Sequence, residues 1–149
     1  WGETNMALAR FAAATTALVI WGGTAHAQGG DLSRQVETLE PLIFGGGDYG
    51  FAASVERYEL TTGKGYRLVI GSTGYHDEYA IVAPAFFRNI WLRKVEGENV
   101  EVKAASLHEL EFGGEGEVEI FFVPIVPGEY EIYARGFEGR GNTAVIHVQ

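Results

Sequence analysis

Few side chains in this sequence suit catalysis or metal binding, and their spacing gathers none of them locally. Cysteine is absent, which removes thiol nucleophiles, thiolate ligands and disulfides at once. The histidines are His26, His76, His108 and His147, and no pair has the His-x-x-x-His spacing that would place two rings on one helical face. A metal site formed only on folding would draw on His76, Asp77 and a distant histidine, and these two residues are the alternative to no metal site at all. Glu109 and Glu111 alternate with apolar neighbours, the pattern of a solvated strand face rather than of a paired acid and base. No Gly-x-Ser-x-Gly elbow is present. The Gly45-Gly46-Gly47-Asp48-Tyr49-Gly50 run could cradle a phosphate only if it opened a helix, and no helical pattern follows it. The residues therefore predict no catalytic group, no bound cofactor or metal, and a chain that is not an enzyme.

The elements that would position these residues read as strands. Pro127-Gly128 makes a turn, because proline fixes φ and glycine accepts a positive one. Tyr130, Ile132 and Ala134 then alternate with Glu129, Glu131 and Tyr133, as in a half-buried strand. Gly136, Gly139 and Gly141 break the pattern into a loop, and Thr143 to Val148 resumes it.

This C-terminal stretch resembles the copper loop of the cupredoxins, in which a Pro-Gly-x-Tyr-x-Phe/Tyr-Tyr strand ends on a ligand Cys, followed by a ligand His, a ligand Met and a last strand. The resemblance places Ala134 at the Cys position, Phe137 near the His and Asn142 near the Met. A second match lies upstream, where Gly63-x-x-Tyr66-x-Leu68, a turn and Asp77-Glu78-Tyr79 follow the family's order. The family's first ligand His falls on Asp77. His76 is one position away, so on a strand it would point to the other face unless the strand is bulged or starts late. A blue-copper centre needs a thiolate, two imidazoles and a weak axial ligand. The resemblance thus implies the fold, an all-β Greek-key sandwich, without the usual metal.

Composition bounds the partners. The 149 residues carry a net charge of −9, and since Glu3 offsets Arg10, all of it belongs to the chain after residue 28. Such a domain repels phosphate backbones, so no nucleic-acid partner is expected. A hydrophobic content of 46% is enough for a genuine core. Near the N-terminus, Arg10 precedes an uncharged run from Phe11 to Ala25 that closes on Ala25-His26-Ala27. This reads as a secretory signal peptide cleaved after Ala27, or as an uncleaved anchor; Ala7 to Ala27 as a helix would reach ~30 Å, enough to span a bilayer. The anchor is the reading adopted: one N-terminal transmembrane helix over 1–27 with Phe11, Leu18, Val19, Ile20 and Trp21 as its anchor residues, a linker over 28–40, and a sandwich domain over 41–149 held in the periplasm.

Within the domain, alternation predicts about eight strands at short, regular spacing. The exception is Ala85 to Val95, where Phe86, Phe87, Ile90 and Trp91 fall on one side of a helical turn, and Arg88, Arg93 and Lys94 form a basic cluster in an acidic domain. Phe86, Phe87, Arg88, Trp91, Arg93 and Lys94 are accordingly expected either to dock a partner or a membrane surface, or to cap the sandwich with their aromatic rings in its core. Three functions fit the whole. One is a metal-free accessory subunit bracing a membrane electron-transfer assembly, a photosynthetic reaction centre–antenna complex being the favoured host, with that assembly's subunits and the lipid bilayer as partners. The second is a metal-binding or electron-carrier protein using His76 and Asp77. The third is a periplasmic binding module.

Overall fold

The computed structural model describes residues 35–149. The apolar segment with Phe11, Leu18, Val19, Ile20 and Trp21 lies outside them, and among the described residues no helix is long and apolar enough to cross a membrane. In chain order the elements are β1 (Val36–Thr38), β2 (Leu42–Phe44), β3 (Arg57–Leu60), β4 (Gly65–Thr73), β5 (Tyr79–Val82), α1 (Pro84–Arg88), β6 (Ile90–Glu96), β7 (Glu101–Val102), β8 (Glu109–Phe112), β9 (Glu115–Pro124), β10 (Gly128–Ala134) and β11 (Thr143–Val148).

Two mixed sheets face one another. One runs β1-β4-β9-β6-β7, with β2 also paired to β4; the other runs β3-β11-β10-β5-β8. Alternation explains the long strands. Tyr66, Leu68 and Ile70 of β4 point inward, as do Ile120 and Phe122 of β9, and β10 and β11 contribute Tyr130, Ile132, Ala144 and Ile146 from the opposite sheet. Each large apolar side chain buried this way contributes ~1.5–3 kcal/mol, so the inner faces drive the association of the sheets.

Two departures from the sequence reading matter for the site. The stretch expected to form one helical turn over 85–95 is split. Pro84 opens a five-residue helix, Asn89 closes it, and Ile90 begins a strand. Ile90 and Trp91 therefore face opposite ways, one buried and one exposed, instead of sharing a helical face. The second departure is β1, which lies in the 28–40 stretch expected as linker and pairs in parallel with β4 from Val36↔Gly65.

The sandwich has two distinct ends. At the loop end lie the connections 45–56, 74–78 and 135–142. At the turn end, the Gly63 N–H donates to Pro124 O (2.9 Å) and the Ile125 N–H to Asn89 O (3.0 Å), so the turns 61–64 and 125–127 sit beside the end of α1.

Candidate functional site

The resemblance directs attention to the loop end, where three connections converge on one imidazole. β5 starts only at Tyr79, so His76 belongs to the preceding loop and its ring turns into the structure. The late strand start that His76 required is what the fold supplies. Its ring stacks on Phe137 at 4.9 Å and 13° between planes, and lies 5.3 Å from Phe51, 5.1 Å from Tyr75 and 5.5 Å from Tyr79. Phe51 and Tyr79 each also lie 5.6 Å from Phe137. The Arg140 guanidinium covers the outer side of Phe51 at 4.9 Å. His76 Nε2 is buried within this cluster and has no hydrogen-bond partner among the described residues. Asp77, its sequence neighbour, is exposed.

Beneath the rings, Asn142 ties the loops together. Its side chain is fully buried. Oδ1 accepts the Gly45 N–H (3.2 Å) and Nδ2 donates to Gly50 O (2.9 Å), a carbonyl that also accepts the Tyr79 hydroxyl (3.0 Å). Burial pushes the Tyr79 phenol pKa up. Backbone geometry makes this closure possible at two glycines. Gly45 has φ +87° and lies so near Thr73 Oγ1 and the Tyr79 hydroxyl that a Cβ would come within 2.4 and 2.7 Å of them. Gly141, at φ +107°, brings the C-terminal loop against Phe51 O, which a Cβ would meet at 2.7 Å. Ala134, the last residue of β10, is fully buried, and its N–H donates to Asn142 O (2.9 Å).

Elsewhere the titratable groups are paired across strand faces. His147, half-buried on the outer face of its sheet, lies 3.9 Å from both Glu59 and Glu129, and Arg57 binds the same two carboxylates at 2.6 and 3.0 Å. The arginine thus occupies the position a cation would take between them. His108 is exposed just before β8. The expected solvated pair is split: Glu109 pairs with Arg135, while Glu111 faces Glu78, and the hydrogen bond to that carboxyl holds the Glu111 pKa above the usual range. An open groove of about 960 Å³ crosses the outer face of the first sheet, bordered by Glu96, Glu98, Glu101, Glu115, Glu117 and Glu119. Lys94, Lys103 and Arg67 neutralise part of it, Arg67 through a two-pronged contact with Glu119 at 2.7 and 2.5 Å. Among the described residues no group of three or more His, Asp or Glu side chains is placed to hold a metal ion.

No protein-family model matches the chain, and no curated protein matches it by sequence. Solved structures do match. A multicopper oxidase from Campylobacter jejuni, described as a metallo-oxidase, superimposes with a TM-score of 0.55 at 10% identity over 76% of this chain. A copper-containing nitrite reductase from Thermus scotoductus gives 0.54 at 13% identity over 75%. The fold is a cupredoxin-like β-sandwich. The match covers 30% of each of those proteins, and at this identity it is a likeness of fold.

The cupredoxin-like neighbours correct one expectation. The residues predict a chain that is not an enzyme, but the proteins sharing its fold are an oxidase and a reductase, which overturns that expectation. The expected docking residues are dispersed by the same fold. Phe86 and Phe87 are core residues, Phe86 packing on Phe122, Tyr130 and Phe87. Lys94 is engaged by Glu96 and Glu101 and lies over the Phe121 ring at 4.4 Å, and Arg93 is half-buried. Arg88 and Trp91 are the exposed members of the set. Three aromatic residues of the loop-end cluster, Phe51, Tyr75 and Tyr79, are not among the site residues expected from the sequence. Phe51 sits in a loop without periodicity, whereas Tyr79 was already marked as the aromatic of the upstream cupredoxin-like match.

Proposed function

We propose that this chain is a cupredoxin-like accessory subunit lacking the copper ligand set, held at a membrane by the apolar segment before Ala27, and bracing a larger electron-transfer assembly from the periplasmic side. The observation that carries the reading is the packing of the loop end. Blue copper needs a thiolate, two imidazoles and a weak axial ligand. The sequence has no cysteine, and among the described residues the loop end offers His76 as its one imidazole. Ala134 brings no donor, the Phe137 ring lies against the imidazole, and both polar atoms of Asn142 are already engaged with backbone. These residues do not fit copper. They fit a rigid, ring-filled end whose loops are fastened to each other, as a brace requires.

The host favoured is a photosynthetic reaction centre–antenna complex, by analogy with single-helix subunits that carry an external domain. The test is mild detergent solubilisation of native membranes, followed by identification of what migrates with the chain. Co-migration with the other subunits at fixed stoichiometry is expected. Recovery as a detergent-free monomer would count against the proposal.

A second reading, a metal-binding or electron-carrier protein using His76 and Asp77, has one observation in its favour, the buried and unpartnered Nε2. Stoichiometric metal in the purified protein would favour it over the first.

A further inference from the structure

We infer that the turn end of the sandwich rests on the lipid surface itself, with Trp91, Ile125, Val126 and Arg88 as the contact and the ring-filled loop end held away from the membrane. This rests on the proposal that the segment before Ala27 is a membrane anchor.

Three observations converge on it. First, the exposed apolar residues of this end are neighbours. Trp91 lies opposite Val123 across β6 and β9, and the Ile125 N–H is bonded to Asn89 O beside Arg88. Trp91, on β6, is 49% exposed, and Ile125 and Val126, on the turn after β9, are 52% and 41% exposed. A tryptophan ring, branched aliphatic tips and an exposed guanidinium are the chemistry of a headgroup-level contact, with the ring and aliphatics entering the acyl boundary and the cation meeting phosphate.

Second, the chain enters the domain at this end. β1 begins at Val36 opposite Gly65, at the start of β4, and runs parallel to it away from the turn end. β1 and β9 flank β4, so the entry point is ~10 Å from the end of β9. The nine residues from Ala27 to Val36 reach at most ~30 Å. An anchor ending near Ala27 is therefore tethered to the domain at its turn end.

Third, the outer face of β9 is graded. Its outward positions are Glu115, Glu117 and Glu119, then Phe121 beneath Lys94 and the buried Val123, with the exposed Ile125 just beyond. The acidic groove occupies the end nearer the loops. An anionic or zwitterionic surface is met by the apolar end, while the glutamates stay in water.

The absence of cysteine allows a direct test in the full chain. Single substitutions Ile125→Cys and Tyr49→Cys, the latter on an exposed loop at the far end, are spin-labelled and reconstituted in phosphatidylcholine vesicles with and without phosphatidylglycerol. Collision with oxygen and with a water-soluble nickel chelate then reports depth. The expected result is an oxygen-accessible, nickel-shielded label at 125 and the reverse at 49, in both lipid mixtures. Adding Val126→Asp to the labelled Ile125→Cys chain should shift the docked fraction by on the order of tenfold, the worth of burying one branched aliphatic side chain. If the chain floats with vesicles but both labels are open to nickel, the lipid contact is refuted and the anchor stands. If the chain does not float, anchor and contact fail together. If residue 125 is open in vesicles but shielded in native membranes, a protein partner covers the turn end, and the lipid contact is again refuted.

Discussion

Replacing Asn142 isolates what holds the loop end together. In Asn142→Ala the Gly45 N–H loses its acceptor while staying buried, and such an orphaned donor costs ~1–3 kcal/mol. The Gly50 carbonyl loses one of two donors but keeps the Tyr79 hydroxyl, so that loss is nearer ~0.5–1.5 kcal/mol. Together these give a destabilisation of about 1.5–4.5 kcal/mol, or a fall in Tm of roughly 5–20 °C for a domain of this size. The comparison variant is Asn142→Leu, which fills the space without hydrogen bonding. It should be nearly as destabilised as the alanine, because the loss is of partners rather than of volume. The assay is urea denaturation of the full chain in detergent, followed by circular dichroism, with hydrogen exchange at the Gly45 amide as the local reporter. An Asn142→Ala chain within ~0.5 kcal/mol of the parent would refute the reasoning, since that is the spread of inconsequential surface changes. A leucine that restores stability would refute it differently, by assigning the site to packing. Were Asn142 a metal ligand, the variant's stability would instead separate from the parent's only when copper is added.

Further predictions test the frame around it. Gly45→Ala forces a Cβ onto φ +87° and into Thr73 and Tyr79, so a loss of roughly 2–4 kcal/mol is expected in the same urea assay. Tyr58 is buried and donates to Glu40 O (2.7 Å), and burial above all, with Glu40 adding to it, pushes its phenol pKa up. Its contribution is therefore whole below the usual phenol range and is lost as pH rises toward the raised value; Tyr58→Phe should cost ~1 kcal/mol at neutral pH and show a flatter alkaline limb. Glu101 is held down to about 2 by Lys103 first and then Lys94. Its contribution is present above the ordinary carboxylate range and fades as pH falls toward 2, so Glu101→Gln should flatten the acid limb of stability, by an amount that salt diminishes.

The sequence made the long strands readable wherever one face is buried and the other wet. β10 and β11 pair over six residues from Gly128↔Val148 to Tyr133↔Thr143, where alternation placed them. It hid β1 because that strand is held by backbone pairing to β4 and carries no buried side chain, so it has no period to detect. β6 was hidden for a different reason. A register shift between Leu92 and Lys94 interrupts its alternation, and the preceding Phe86, Phe87 and Ile90 happen to recur at helical spacing. A real helix of five residues stands there, which is why the two periods ran together.

The loop end was legible only through resemblance, and the reason is physical. Ala134 closes a strand, but His76, Phe137 and Asn142 lie in connections, where no repeat links residue type to direction. What resemblance could not supply is how these loops are held to one another. Here the work is divided. The stacked rings of His76 and Phe137, with Phe51 and Tyr79 around them, exclude water from the end of the sandwich. In that dry setting the Asn142 amide meets two backbone groups at once, and the low local dielectric strengthens both bonds. Each half depends on the other. Opened rings would let water compete for the amide, and a lost amide would free the 45–50 loop that positions Phe51. The two glycines that close this arrangement, Gly45 and Gly141, are therefore its least replaceable residues, although neither makes a side-chain contact of its own.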